Sequence, residues 1–370
     1  MNRPGGHPHY QPQLLLNNGV TLLPSPAGAL PSLRTSVGAL AVADIDRNGM
    51  LDLFVGGRVI PGRYPLAPRS TLLKNEAGNF ADATALADGL AEIGLVTSAL
   101  FSDVNDDGWP DLLVALEWGG VRYFQNLEGR GFRDCSDSSG FSAAGTGWWT
   151  SLAAADFNED GRLDYVAGNV GLNTPYHATP AEPALLFYGE FEEKSQPQIV
   201  EAYHQNNKLY PRRGSQQLPL AAPSIARRFT RVNDYARATL PELLDPKRLD
   251  AAQRFAATEL RSGVFLSQPD GTHRFTALPR IAQIAPMQGI ATGDFDGDGH
   301  ADLYTVQNSY APIPLVGRFH GGISQLLHGD GRGNWTAVPP SDSNLVVSGD
   351  AKALASVDLD RNGWADFVVT

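Results

Sequence analysis

Residues 294–302 read DFDGDGHAD. Four aspartates, Asp294, Asp296, Asp298 and Asp302, crowd one short loop, where like charges at close range raise one another's energy. The spacing offers a way to relieve that cost. Carboxylates at positions 1, 3 and 5 can point at one centre. The backbone carbonyl at position 7 and the carboxylate at position 9 can complete the shell, and Gly299 at position 6 permits the sharp turn. Hard oxygen donors in that number suit Ca²⁺. A calcium loop between two helices would need a bidentate glutamate at position 12. Here position 12 is Thr305, and the LYTVQ that follows Asp302 reads as strand. The spacing therefore predicts a calcium loop inside a β-hairpin.

The pattern recurs at DIDRNGMLD, DVNDDGWPD, DFNEDGRLD and DLDRNGWAD. Position 1 is Asp44, Asp103, Asp156, Asp294 or Asp358, and position 3 is Asp46, Asn105, Asn158, Asp296 or Asp360. Position 5 is Asn48, Asp107, Asp160, Asp298 or Asn362. Position 7, which offers only its carbonyl, is Met50, Trp109, Arg162, His300 or Trp364; the His300 side chain is expected to face solvent. Position 9 is Asp52, Asp111, Asp164, Asp302 or Asp366. About five Ca²⁺ sites are expected. Short apolar, β-rich runs flank every loop, such as LAVA before and LFVGG after the first, as buried strands require. Repeats at this period indicate a solenoid, propeller or array.

The first aspartates are spaced 59, 53, 138 and 64 residues apart. The long gap invites a hidden copy. YGEFEEKSQPQIVEAY (188–203) fits as a decayed one, with Glu190 and Glu192 at positions 1 and 3, Lys194 at position 5 and Gln198 at position 9. An ammonium in place of a ligand oxygen would keep Ca²⁺ out, so six repeat units are expected with only five sites. NEAGNFADAT, NLEGRGFRDCS, SQPDGTHRFTAL and HGDGRGNWTAVP each read as a glycine-turned hairpin of outer strands. LLLNNGVTLLPSP (14–26) is such a hairpin with no loop before it, and the loop at Asp358 has no hairpin after it. Either the first strands complete the last sheet and close a ring, or the chain is a fragment cut within a longer domain.

These loops resemble the FG-GAP/VCBS repeats of the integrin-α N-terminal β-propeller superfamily. More narrowly, DLFVGGRVIPGRYPLAPRSTLLKN (52–75), GNVGLNTPYHATP (168–180), KLYPRRG (208–214) and HGDGRGNWTAVPPSDSNL (328–345) look like bacterial relatives of cartilage acidic protein. The resemblance runs from about residue 14 onward. It implies a propeller, usually of seven blades, that binds calcium and is usually exported; with six repeat units countable, one all-β domain over 1–370 with six to seven blades is expected. It carries over the calcium ligands at the five intact loops and brings no defined activity.

Residues 205–261 break the pattern. SIARRFTRVNDYARA sets Ile225, Phe229, Val232 and Ala236 on one helical face. DPKRLDAAQRFAATEL offers Asp245 as N-cap and Pro246 at the first helical position, then Leu249, Ala252, Phe255 and Ala256 on one stripe. Two helices inserted into one blade are expected. The segment carries 11 Lys/Arg against 5 Asp/Glu, inside a chain whose net charge is −11. Its densest cluster is Arg212, Arg213, Arg227, Arg228 and Arg231. It reads either as a site for an anionic partner such as an acidic glycan, or as a cap that matches the charge of the rest of the chain.

In GTGWWTS, Trp148 and Trp149 either stack on sugars or belong to the core. The single cysteine, Cys135, excludes an internal disulfide and reads as a buried thiol. The acidic balance argues against nucleic acid, and no stretch is long and apolar enough for a membrane helix or a secretory signal. Calcium sites of extracellular affinity would still place the protein outside the cell, at the cell surface or in the periplasm. No catalytic constellation is legible. The expected function is a binding or scaffold module for a protein or glycan partner; the alternative is a calcium-dependent glycan-active hydrolase or lyase.

Overall fold

The apolar runs on either side of each acidic loop become the first two strands of an antiparallel sheet. The computed structural model describes residues 7–33, 35–193, 196–312 and 316–370. Its first sheet is built from Val37–Ala43, Asp52–Gly57, Thr71–Glu76 and Asn79–Asp82. The second runs through Leu95–Ser102, Asp111–Gly119, Val121–Asn126 and Phe132–Asp134, with Gly147–Trp148 added beside the long second strand. The fourth is Met287–Gly293, Asp302–Gln307, Gln325–Gly329 and Trp335–Ala337. In each, the glycine-turned hairpin supplies strands three and four, as the sequence predicts.

Successive sheets stack face to face, and one strand feeds two cores. Leu112 and Val114 join Phe54, Leu72 and Phe124 between the first and second sheets. Their neighbours Leu113 and Ala115 point the other way and join Trp149, Tyr165 and Phe265 towards the third. Val166 then packs with Phe157, Leu303 and Leu327. Tyr304 and Val306 meet Phe367 and Val369 of the C-terminal hairpin. Burial on both faces explains why these strands read as continuous apolar runs instead of alternating ones.

One bond pattern ties each loop to its sheet. The position-9 aspartates Asp52, Asp111, Asp164 and Asp302 are fully buried. One carboxylate oxygen of each accepts the position-2 N–H, from Ile45, Val104, Phe157 or Phe295, at 2.9–3.1 Å. The other accepts an N–H from the end of the third strand: Asn75 at 2.7 Å, Asn126 at 2.6 Å, Ser267 at 2.7 Å and Gly329 at 3.0 Å. Burial pushes these carboxyls up, Asp111 to about 6, while the backbone N–H bonds pull them down.

The bond from Ser267 to Asp164 explains the irregular spacing. It spans 103 residues, where the equivalent bond in the second sheet spans 15. The third sheet is therefore Ser151–Ala155, Asp164–Gly168, Gly263–Ser267 and His273–Ala277, with everything between residues 168 and 263 inserted between its second and third strands. The expected decayed copy at Glu190 does not occupy a repeat's place. Its hairpin, Ala184–Gly189 with Gln198–Gln205, forms the middle of a separate sheet flanked by Lys208–Pro211 and Gln253–Ala257. Glu192 accepts the Ser224 N–H there, and Lys194 lies outside the described residues.

The insert is a layered cap. One face of its sheet carries Leu185, Phe187, Val200 and Ala202 against helices; the other carries Ala184, Leu186 and Ala257 against Leu95, Trp118 and Tyr176. The two expected helices are five short ones, Leu218–Ala221, Ser224–Arg228, Val232–Arg237, Leu240–Leu243 and Pro246–Ala251. Asp245 caps the last, accepting the Lys247 N–H at 2.9 Å. The helix expected through Ala256 ends at Ala251, and Gln253–Ala257 is strand. Phe255 and Ala257 serve one buried layer and Ala252 and Ala256 the other, so a two-sided strand imitates a helical stripe.

Two further expectations need correction. The N-terminal hairpin (Leu15–Asn17 with Leu22–Pro24) and the C-terminal hairpin (Leu354–Val357 with Asp366–Val369) form separate two-stranded sheets and do not complete each other. Cys135 is half-buried, its Sγ 3.6 Å from Gln125 Oε1.

Asp164→Ala orphans two buried N–H groups and is expected to cost about 2–5 kcal/mol in urea unfolding with chelator present. Asp366→Ala, which removes a single bond from Leu359 at 2.9 Å, is expected to cost about 1 kcal/mol or less. Equal losses would contradict the tie. Burial of His273, which stacks on Phe141 at 4.7 Å, lowers its imidazole to about 4. The unfolded chain then takes up the proton first, so stability is full above pH about 6.5 and falls as pH drops towards 4, by up to about 3 kcal/mol. His273→Phe is expected to flatten that slope in pH-dependent thermal unfolding.

Candidate functional site

The five acidic loops adopt one backbone conformation. The position-1 carboxylate accepts the position-6 glycine N–H in every case, at 2.7–3.0 Å. In four loops its other oxygen takes the position-5 N–H, at 3.0–3.2 Å. The position-5 side chain in turn accepts the position-7 N–H, at 2.8–3.0 Å. Position 6 lies at φ 82–92°, where only glycine is comfortable. Backbone donors thus offset part of the carboxylate repulsion.

Three loops bring three carboxylates together. Asp44, Asp46 and Asp52, then Asp294, Asp296 and Asp298, then Asp358, Asp360 and Asp366 each place ligand oxygens within 4.8 Å of one another. Asp46 Oδ1 is buried with no hydrogen-bond partner, an orphaned acceptor that a cation would satisfy. In the loops at Asp103 and Asp156, position 3 is asparagine, and its amide donates to the position-5 carboxylate at 2.8 and 3.1 Å.

Third-strand side chains also reach the loops. Lys74 Nζ lies 2.5 Å from Asp46 Oδ2, and this bond raises the Lys74 ammonium. His328 Nδ1 lies 3.2 Å from Asp296 Oδ2 and groups with Asp296 and Asp302. Neither residue belongs to the loop motif, but each immediately precedes the third-strand partner of the position-9 aspartate. That register is the sequence signal for both.

Neighbouring loops touch. Arg47 at position 4 of the first loop donates to the Gly108 carbonyl and sits 4.2 Å over the Trp109 ring of the second. Glu159 of the third loop bonds His300 of the fourth, so the His300 side chain engages a neighbour and does not simply face solvent.

A second feature lies where the sheets converge. Ser98, Leu152, Ile290 and Leu354, all on first strands, wall a cleft of about 850 Å³ that the inserted layer overhangs with Ile199 and Glu201. The tryptophan pair divides here. Both border the cleft, but Trp149 is fully buried and packs into the core, whereas half-buried Trp148 meets Trp118 at 4.9 Å and Tyr176 at 4.5 Å, edge to face. The arginine cluster divides too. Arg213 lines the cleft and Arg212 lies 3.8 Å over the Tyr176 ring, while Arg227, Arg228 and Arg231 are exposed on the helices. Tyr64 and Tyr176 lie in the stretches 52–75 and 168–180 that carry the resemblance, whereas Glu117 and Glu201 carry no local motif; only the fold gathers the four.

Residues 103–167 match the FG-GAP-like repeat family. No curated protein matches the sequence at a significant level. Among solved structures, the chain is similar to the Vibrio cholerae biofilm matrix protein Bap1 at 10% identity and TM-score 0.27, over 89% of this chain and 73% of that one. It is also similar to Sqt1 from Chaetomium thermophilum at 13% identity and TM-score 0.29, over 90% and 78%. Scores of this size assign no function.

The Glu159 bond raises His300 above its ordinary value. In an NMR titration, Glu159→Gln is expected to return that imidazole towards about 6.5. An unmoved titration would mean that the two loops are not linked.

Proposed function

We propose that the protein is a calcium-stabilised, propeller-like binding module that works outside the cell or in the periplasm. The observation that carries this reading is the set of five loops in one conformation, three of them with carboxylates gathered within 4.8 Å and one with an orphaned buried oxygen. The side chains at positions 1, 3 and 5 and the carbonyl at position 7 would hold the ion. Position 9 is already committed to two backbone N–H groups in four loops and would act mainly by fixing the loop. The ion would supply charge neutralisation and cross-linking of the hairpin, which is folding free energy. Affinity suited to an extracellular site is on the order of 10⁻⁴–10⁻³ M.

A radial arrangement is supported by first strands of successive sheets sharing one cleft. Binding without turnover is supported by the cleft carboxylates. Glu117 is engaged by Arg58 and by the Tyr64 hydroxyl at 2.6 Å, and Glu201 by the Tyr176 hydroxyl at 2.9 Å.

Metal content after equilibration in millimolar Ca²⁺ is expected to approach five ions per chain, one for each intact loop. The loop at Asp44 should fill last, because the Lys74 ammonium competes there. A chelator should lower the unfolding temperature markedly. No bound Ca²⁺ and an unchanged unfolding temperature would contradict the reading.

A further inference from the structure

We propose that the cleft beneath the inserted layer binds an acidic oligosaccharide, with Arg213 taking a sugar carboxylate and Trp148 supplying apolar contact to the ring. This rests on the binding-module reading and names its site and ligand class.

Arg58, Arg213, Lys352, Glu117 and Glu201 line the cleft. Arg58 is paired with Glu117, and Lys352 with Asp350. Glu201 accepts the Tyr176 hydroxyl at 2.9 Å. Arg213 has no carboxylate partner among the described residues, and its Nε is buried without a hydrogen-bond acceptor. A half-buried guanidinium with no carboxylate partner calls for an anion, and its terminal amino groups can meet a carboxylate with two parallel bonds.

The aromatic groups are held in place before any ligand arrives. The Tyr176 ring is fixed by its bond to Glu201, by Arg212 at 3.8 Å over its face and by Trp148 at 4.5 Å. Across the cleft, the Tyr64 hydroxyl donates to Glu117 and accepts the Trp118 indole N–H at 2.5 Å. Trp118 itself lies at φ 58°, a backbone state that a bulky side chain avoids. Strain of this kind persists where surrounding contacts over-determine a site. Half-buried Trp148 stands between these two clamps. An aromatic wall with one uncompensated guanidinium fits a sugar ring bearing a carboxylate, since aromatics cover the ring's C–H surface and the arginine selects the charge. A cleft of about 850 Å³ admits a few sugar residues.

The test is tryptophan-fluorescence titration of the calcium-equilibrated full chain with a galacturonic acid hexasaccharide and with its neutral galactose counterpart. The acidic chain is expected to bind saturably and the neutral one about ten-fold or more weakly. Arg213→Gln should erase that preference. Trp148→Phe should weaken both ligands together. Arg227→Gln, which removes the same charge from the insert away from the cleft, should change nothing. Equal binding of the two saccharides, or an equal effect of the two arginine variants, would overturn the proposal. So would failure of both saccharides to bind. If metal content and chelator sensitivity stay as expected in that case, only the ligand assignment has failed. If they do not, the binding-module reading has failed as well.

Discussion

A buried aspartate that accepts two backbone N–H groups is the constraint on which the rest depends. Placing an ionisable group at zero exposure is costly unless its oxygens are met. Here one oxygen holds the start of the acidic loop and the other holds the end of the third strand. That single side chain makes a hairpin and a neighbouring strand one unit. It also sets where the loop must turn, and so where the position-1, -3 and -5 side chains converge.

Because the tie acts between strand ends and is indifferent to the chain between them, a repeat can be opened without being lost. The third sheet accepts a cap between its second and third strands and still forms the bond from Ser267 to Asp164. The cap is held by its own apolar layers, one towards its helices and one towards Leu95, Trp118 and Tyr176. Its overhang turns a shared floor of first strands into a walled cleft. The same insertion therefore explains the long gap between loops, the reversal of local charge and the gathering of the aromatic residues.

Much of this was legible in sequence because the loop is a local object. Aspartate, asparagine and glycine at fixed offsets dictate a turn through bonds that span two to five residues, and the strands on either side are short and apolar. The outer hairpins were legible for the same reason. What could not be read locally was pairing across an insertion. Glu190 and Glu192 imitate positions 1 and 3 of the loop, but the register that would make them a repeat is decided by which strand pairs with Asp164–Gly168, about a hundred residues away. The strand at Gln253–Ala257 was hidden because its apolar residues feed two layers, Phe255 and Ala257 one and Ala256 the other. The cleft was hidden because Tyr64, Glu117, Tyr176 and Glu201 come from unrelated stretches.

The most direct measurement of the central claim is amide hydrogen exchange, resolved by residue, on the intact chain. The account predicts that the amides of Asn75, Asn126, Ser267 and Gly329, each bonded to a position-9 aspartate, exchange as slowly as those at the middle of the strand Asp111–Gly119. Exchange of these four at the rate of exposed turn amides would contradict it, and would leave the loops as independent surface turns instead of the ties that organise the fold.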